Sequence, residues 1–164
     1  MKILIAHSFL GTRKRTVELL KEKLLQQYRD ADILVWPAEK PAAREDIRKA
    51  EADLFVDFNL WGFEQGTLAG SIAYNLLDCK QIHILLDDTL PNEKQLEKQL
   101  SIAMFFYCVD AQYCQYLSER YPEIPYLKEV KGWKRTEAAD DTEHNAWLLC
   151  GIVEEVLRIL KKDC

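Results

Sequence analysis

The sequence predicts an α/β domain: a doubly wound, mostly parallel sheet of about five strands with helices on both faces. Three observations carry that prediction. Apolar runs of about five residues are continuous rather than alternating, as in strands buried on both faces. Between them lie stretches with apolar residues at helical spacing, the crossovers that parallel strands need. The alternation repeats five times along a chain of 164 residues, a length that suits one domain spanning 1–164.

Lys2 to Ala6 reads as the first strand. From Thr12 to Tyr28, Val17, Leu20, Leu24 and Tyr28 fall on one helix face. Asp32 to Trp36 is a second strand, ended by Pro37, and Pro41 opens a short helix with Ile47 and Ala50 inward. Asp53 to Phe58 is a third strand. A loop over residues 59–65 follows, then a helix from Gly66 to Leu77 with Leu68, Ile72 and Leu76 on one stripe. Gln81 to Leu86 and Ile102 to Val109 are the fourth and fifth strands, with a short helix marked by Leu96 and Leu100 between them. Asp110 caps a helix running to Tyr121, stopped by Pro122. Pro125 to Trp133 is irregular with a short extended piece, and Glu137 to Asp141 reads as an acidic loop. Glu143 to Leu160 is the clearest helix, with Leu149, Val153, Val156 and Leu160 on its apolar face.

Composition narrows the function classes. The net charge of −5 argues against a nucleic-acid partner bound through a general phosphate footprint. No apolar run approaches the roughly 18–20 residues that span a bilayer, so no membrane partner is expected. The N-terminal run is too short for a signal peptide, and a cytoplasmic location is expected. The five cysteines are an odd number without a CxxC pair, and Cys108, Cys114 and Cys150 sit among apolar residues. They read as buried thiols in a reducing compartment.

In open α/β sheets, ligands bind at the carboxyl ends of the strands. Those ends carry His7, Ser8, Gly11, Thr12 and Arg13, then the loop from Asn59 to Gln65 with Trp61, Gly62, Phe63 and Glu64, then Asp87 and Asp88, then Asp110. Arg13, Lys14 and Arg15 open the first helix, where cations oppose the dipole unless an anion sits among them. Ser8, Gly11, Thr12 and Arg13 are therefore candidates for holding a small anionic ligand. Trp61 and Phe63, flanking Gly62, could stack on its ring. Asp57, Asp87 and Asp88, acids at the ends of the third and fourth strands, could bind a metal, a ribose hydroxyl or a proton. Asp57, Glu64 and His7 are the candidate catalytic groups, and no metal-ligand spacing stands out. The blander alternatives are a solvated basic face and aromatics that cover the core edge or a homodimer contact. His83, inside a strand, reads as a hydrogen-bonded core histidine.

Several segments resemble known families of this flavodoxin-like or Rossmann-like architecture. Asp53 to Gly62 looks like the phosphoacceptor strand of receiver domains. An active receiver is rejected because Ala6, His7 and Ser8 stand where acids are required and Asp110 follows the fifth strand where a lysine is required. Ser8, Gly11 and Thr12 with Trp61 and Gly62 resemble the phosphate and ring-flanking loops of flavodoxins, which implies flavin mononucleotide (FMN) and electron transfer. Leu10 and Arg13 stand where that loop has threonines. Ala52 to Asp57, Gly66 and Thr67, Ala73 and Tyr74, and Ile82 to Leu85 are similar to nucleoside 2-deoxyribosyltransferases, whose nucleophilic glutamate is replaced by Gly70. Tyr74 to Asp87, Phe106 to Asp110 and Tyr116 onward look like the N-terminal half of bacterial two-domain glycosyltransferases, which implies an isolated Rossmann-type half. The leading expectation is a module that binds a small nucleotide-like or anionic ligand, or a partner, without a complete catalytic set. The alternatives are a nucleoside or nucleotide-sugar transferase and an FMN-binding electron carrier.

Overall fold

The computed structural model of the chain describes residues 1–6, 14–36, 44–60, 74, 77–87, 90, 93–136 and 138–162. Six parallel strands form one sheet: β1 (Lys2–Ala6), β2 (Asp32–Trp36), β3 (Leu54–Phe58), β4 (Lys80–Leu85), β5 (Met104–Cys108) and β6 (Leu127–Glu129). Their order is β2-β1-β3-β4-β5-β6. The helices are α1 (Lys14–Gln27), α2 (Arg44–Lys49), α3 (Leu96–Gln99), α4 (Ala111–Arg120) and α5 (Ala139–Lys162), with a 3-10 turn over Glu93–Gln95 leading into α3.

The continuous apolar strands follow from burial on both faces. Successive side chains point to opposite sides, so each strand feeds two cores. Ile3, Ile5, Val56, Phe58, Ile82 and Ile84 pack against Val17, Leu20 and Leu24 of α1 and Leu149, Val153 and Val156 of α5. Leu4, Ala6, Phe55, Leu85, Met104 and Phe106 face the other way, onto Ile47 of α2, Leu96 of α3, and Tyr113 and Leu117 of α4. The expected sandwich with helices on both faces is the observed one, and β1 and β2 have the expected bounds.

Two elements differ from expectation. The extended piece after Pro125 is a sixth strand, paired in register with β5 from Phe106↔Leu127 to Cys108↔Glu129. A side-chain tie also holds it. Lys128 Nζ donates to Glu155 of α5 at 2.6 Å, and the Tyr107 hydroxyl donates to the same carboxylate at 3.1 Å. Partial burial pushes the Glu155 carboxyl up, but these hydrogen bonds outweigh it and the net displacement is downward. The acidic stretch ending at Asp141 is not all loop. Residues 139–141 form the first turn of α5, where Asp140 and Asp141 meet the positive end of the dipole and Lys161 and Lys162 meet the other. Thr136 donates to Asp141 just ahead of that turn. The fourth helix is capped as expected: the Asp110 carboxylate accepts from the Tyr113 N–H at 2.8 Å. The expected helix over 66–77 lies almost wholly outside the described residues.

Candidate functional site

The strand order reverses between β1 and β3, because β2 lies on the far side of β1. A crevice outside the carboxyl ends of these two strands is where a sheet of this kind receives a ligand. β3 leaves that edge through two successive left-handed residues, Asn59 (φ 54°) and Leu60 (φ 49°). Asparagine tolerates this region, but leucine pays roughly 1–2 kcal/mol for it. Both are buried, so the surrounding contacts must hold the turn. Asn59 supplies them. Its side-chain oxygen accepts from the N–H groups of Leu86 (2.7 Å) and Asp87 (3.3 Å), and its amide donates to the Asp87 carboxylate at 2.8 Å. The ends of β3 and β4 are thereby fastened together, with exposed Asp87 at the rim. Farther along the same edge, Asp110 caps α4 and lies 3.5 Å from Arg135.

Below that turn a polar network crosses the apolar core. Asp57 and His83 are register partners on β3 and β4, and both are 0% exposed. His83 Nδ1 lies 2.6 Å from Asp57 Oδ1, and the Tyr74 hydroxyl donates to Asp57 Oδ2 at 2.7 Å. Gln81, two residues before His83 and therefore on the same face, donates its amide to the Tyr74 carbonyl at 2.8 Å. That bond fixes which end of the amide is which. Its oxygen faces His83 Nε2 at 3.0 Å and can only accept, so Nε2 carries a proton. The short bond to Asp57 holds a second proton between ring and carboxyl. Phe106, Phe55 and the Tyr74 ring surround the imidazole, with Tyr74 edge-on at 4.9 Å. Tyr74 is held at a fourth point, where its N–H donates to Gln99 Oε1 at 2.9 Å.

A second polar cluster joins the 3-10 turn to α4. The Glu93 carboxylate accepts from the hydroxyls of Tyr113 (2.8 Å), Tyr116 (2.8 Å) and Tyr121 (2.9 Å). Burial and the adjacent carboxylate push the Tyr121 hydroxyl up to about 12, and Tyr113 rises for the same two reasons. At the opposite, amino-terminal edge of the sheet lies a cavity of about 340 Å³, lined by Ile47, Arg48, Leu77 and Cys79 among others. Burial raises the Cys79 thiol to about 11, which keeps it protonated and a poor nucleophile. The cavity lies at the end of the strands opposite the carboxyl edge.

No protein-family model matches the chain. No curated protein matches its sequence either.

The site residues named from the sequence divide accordingly. His7, Ser8, Gly11, Thr12, Arg13, Trp61, Gly62, Phe63 and Glu64 lie outside the described residues. Asp57 is enclosed, with both carboxylate oxygens engaged. Asp87 stands at the edge, bound to Asn59. His83 is a hydrogen-bonded core histidine. Lys14 and Arg15 are exposed at the start of α1, and Arg15 pairs with Glu18 at 3.5 Å. Sequence reasoning missed Tyr74, Gln81 and Gln99, and it named Asn59 only as the first residue of the candidate loop over residues 59–65. One available signal was the pair Gln81 and His83, polar at i and i+2 in an otherwise apolar strand, which implies a polar partner on that face.

Proposed function

We propose that the chain is a binding module for a small anionic, nucleotide-like ligand, received at the carboxyl edge between β1 and β3. The observation that carries this reading is the reversal of strand order at that edge. The charge at the start of α1 supports it. Lys14 and Arg15 open the helix, and its first turn has no acid, so cations and dipole together attract an anion. Ser8, Gly11, Thr12 and Arg13 would hold the anion, Trp61 and Phe63 on either side of Gly62 would stack on a ring, and Asp87 would bind a hydroxyl. A module without a complete catalytic set is the reading favoured by Asp57, whose carboxylate is already occupied by His83 and Tyr74.

One observation favours FMN among such ligands. The run β2-β1-β3-β4-β5 follows the order of flavodoxin-like sheets, in which FMN occupies the β1/β3 switch point. Titration calorimetry with FMN, adenosine monophosphate and inorganic phosphate, with native mass spectrometry alongside, tests both readings. At least one of the three is expected to bind. Arg13→Ala with Lys14→Ala should weaken that binding about tenfold or more while leaving the melting temperature of the free protein unchanged. Absence of binding by all three, or an affinity untouched by the double substitution, refutes the site. Binding of adenosine monophosphate without FMN would keep the site and remove the flavin.

A further inference from the structure

The longest helix carries a second face. The apolar stripe of α5 is buried in the core, and on the opposite side Asp140, His144, Trp147, Gly151, Glu154 and Arg158 recur at alternating intervals of four and three. That spacing sets all six on one line along the helix. All are exposed except the half-buried Glu154. Two of them are out of place on a solvated face. Trp147 is 56% exposed. Its ring is held from one side by Lys23, whose Nζ lies 4.0 Å from the ring centre and pairs with Glu143 at 3.3 Å. Gly151 lies in the interior of the helix, where glycine is among the least favourable residues. No crowding within the chain calls for it, because a Cβ built there would meet nothing within 4 Å. One turn of helix thus holds a large, oriented ring and, beside it, a bare stretch of backbone.

We propose that this face of α5 pairs with the same face of a second copy of the chain, antiparallel about a two-fold axis. In such an interface every contact is made twice, residue i on j and j on i. With the axis passing between Trp147 and Gly151, the ring of each copy lies over Gly151 of the other, and the missing side chain is what admits it. The charges select the same register. Stepping outward from the axis, His144 of one copy faces Glu154 of the other, a ring able to carry positive charge against a carboxylate, and Asp140 faces Arg158. A parallel pairing would instead set Asp140 against Asp140 and Arg158 against Arg158, which repel. Asp140, Glu154 and Arg158 are uncommitted. Among the described residues none of the three forms an ion pair within the chain, although Glu154 and Arg158 stand one turn apart. Antiparallel helices also bring each end of one macrodipole beside the opposite end of the other. The seam from residue 140 to 158 is about 27 Å long. That is small for an interface, so a dissociation constant on the order of micromolar is expected.

Sedimentation velocity of the full chain, from about 1 µM to 1 mM, tests the pairing. A concentration-dependent dimer is expected. Gly151→Leu should weaken it about tenfold or more, because the side chain fills the space the ring enters. The same substitution should raise the melting temperature of the dilute monomer, since leucine is the better helix former. Association and stability then move in opposite directions, which a damaged fold cannot produce. Asp140→Arg and Arg158→Asp should each weaken the dimer about tenfold by setting like charges together at two places across the axis. The double variant Asp140→Arg/Arg158→Asp brings opposite charges together again and should recover most of the original affinity. A monomer at every concentration would overturn the proposal and leave the face to a partner other than this chain. A dimer untouched by Gly151→Leu, or a double variant as weak as its singles, would overturn it equally.

Discussion

Replacing His83 with leucine tests the reading of the buried network most directly. The ring is 0% exposed and bridges Asp57 Oδ1 at 2.6 Å and Gln81 Oε1 at 3.0 Å. Leucine has comparable bulk but no donor, so both oxygens lose their partner and no water replaces it. Breaking a buried ionic or proton-sharing pair from one side costs about 3–5 kcal/mol. An orphaned amide oxygen adds roughly 1–3 kcal/mol, part of which relaxation recovers. A destabilisation of about 4 kcal/mol is therefore expected. With a urea dependence of about 2 kcal/mol per molar, that moves the unfolding midpoint down by about 2 M. Asp57→Leu should cost a similar amount because it strands His83 and Tyr74 in turn. The decisive quantity is the double variant. Once both members are apolar, the penalty for the stranded partner disappears, so Asp57→Leu/His83→Leu should be at least about 2 kcal/mol more stable than the sum of the singles predicts. Urea unfolding followed by circular dichroism measures all three. Additivity within about 0.5 kcal/mol would refute the coupled pair, as would a His83→Leu cost below about 1 kcal/mol.

Two further perturbations follow from the same hydrogen-bond geometry. Asn59→Asp keeps the shape of the β3 turn but replaces the amide donor facing Asp87 with a carboxylate, and should destabilise by about 1–3 kcal/mol in urea unfolding near neutral pH; an unchanged midpoint would show that the fastening of β3 to β4 contributes nothing. The Tyr121 hydroxyl, raised to about 12 by burial and Glu93, gives a stability fully present below the unfolded tyrosine value of about 10 and lost as pH rises towards 12, because the unfolded chain gives up its proton first. Absorbance titration at 295 nm should show a late tyrosinate component that Glu93→Gln moves to lower pH, and titration of every tyrosine near the ordinary midpoint would contradict the cluster.

The fold was legible because it rests on a local property. A run such as residues 2–6 or 54–58 with apolar side chains on both faces has few alternatives to a buried parallel strand. β6 was harder to read because it is three residues long, half-exposed, and ordered by pairing with β5 and by Lys128 on Glu155 rather than by a pattern of its own. The polar groups divide similarly. Asp57 and His83 stand out as polar residues in apolar strands, yet that they meet depends on the β3–β4 register, which no local window contains. Tyr74 looked like one more residue of an expected helix, whereas its hydroxyl is the second ligand of a carboxylate 17 positions away. Glu93 carries no motif at all. Its importance comes from three tyrosines on and just beyond a helix that the chain reaches 18 residues later.

These long-range ties are not spread evenly over the sheet, and their placement bears on the proposed site. β3 and β4 are joined by the backbone ladder and by two side-chain fastenings on top of it, Asp57 with His83 in the core and Asn59 with Leu86 and Asp87 at the carboxyl edge. The latter holds a turn with two left-handed residues that would otherwise relax. A strained turn persists only where its surroundings over-determine it, and this one stands at the end of β3, beside the point where the strand order reverses. A ligand entering there would meet a wall already fixed, so little ordering entropy would be lost on that side. Loosening the turn with Asn59→Ala should therefore weaken binding at the edge by more than His83→Leu does, although His83→Leu is expected to cost the fold more. If affinity instead fell in step with global stability, the turn would have no role in binding beyond holding the sheet together.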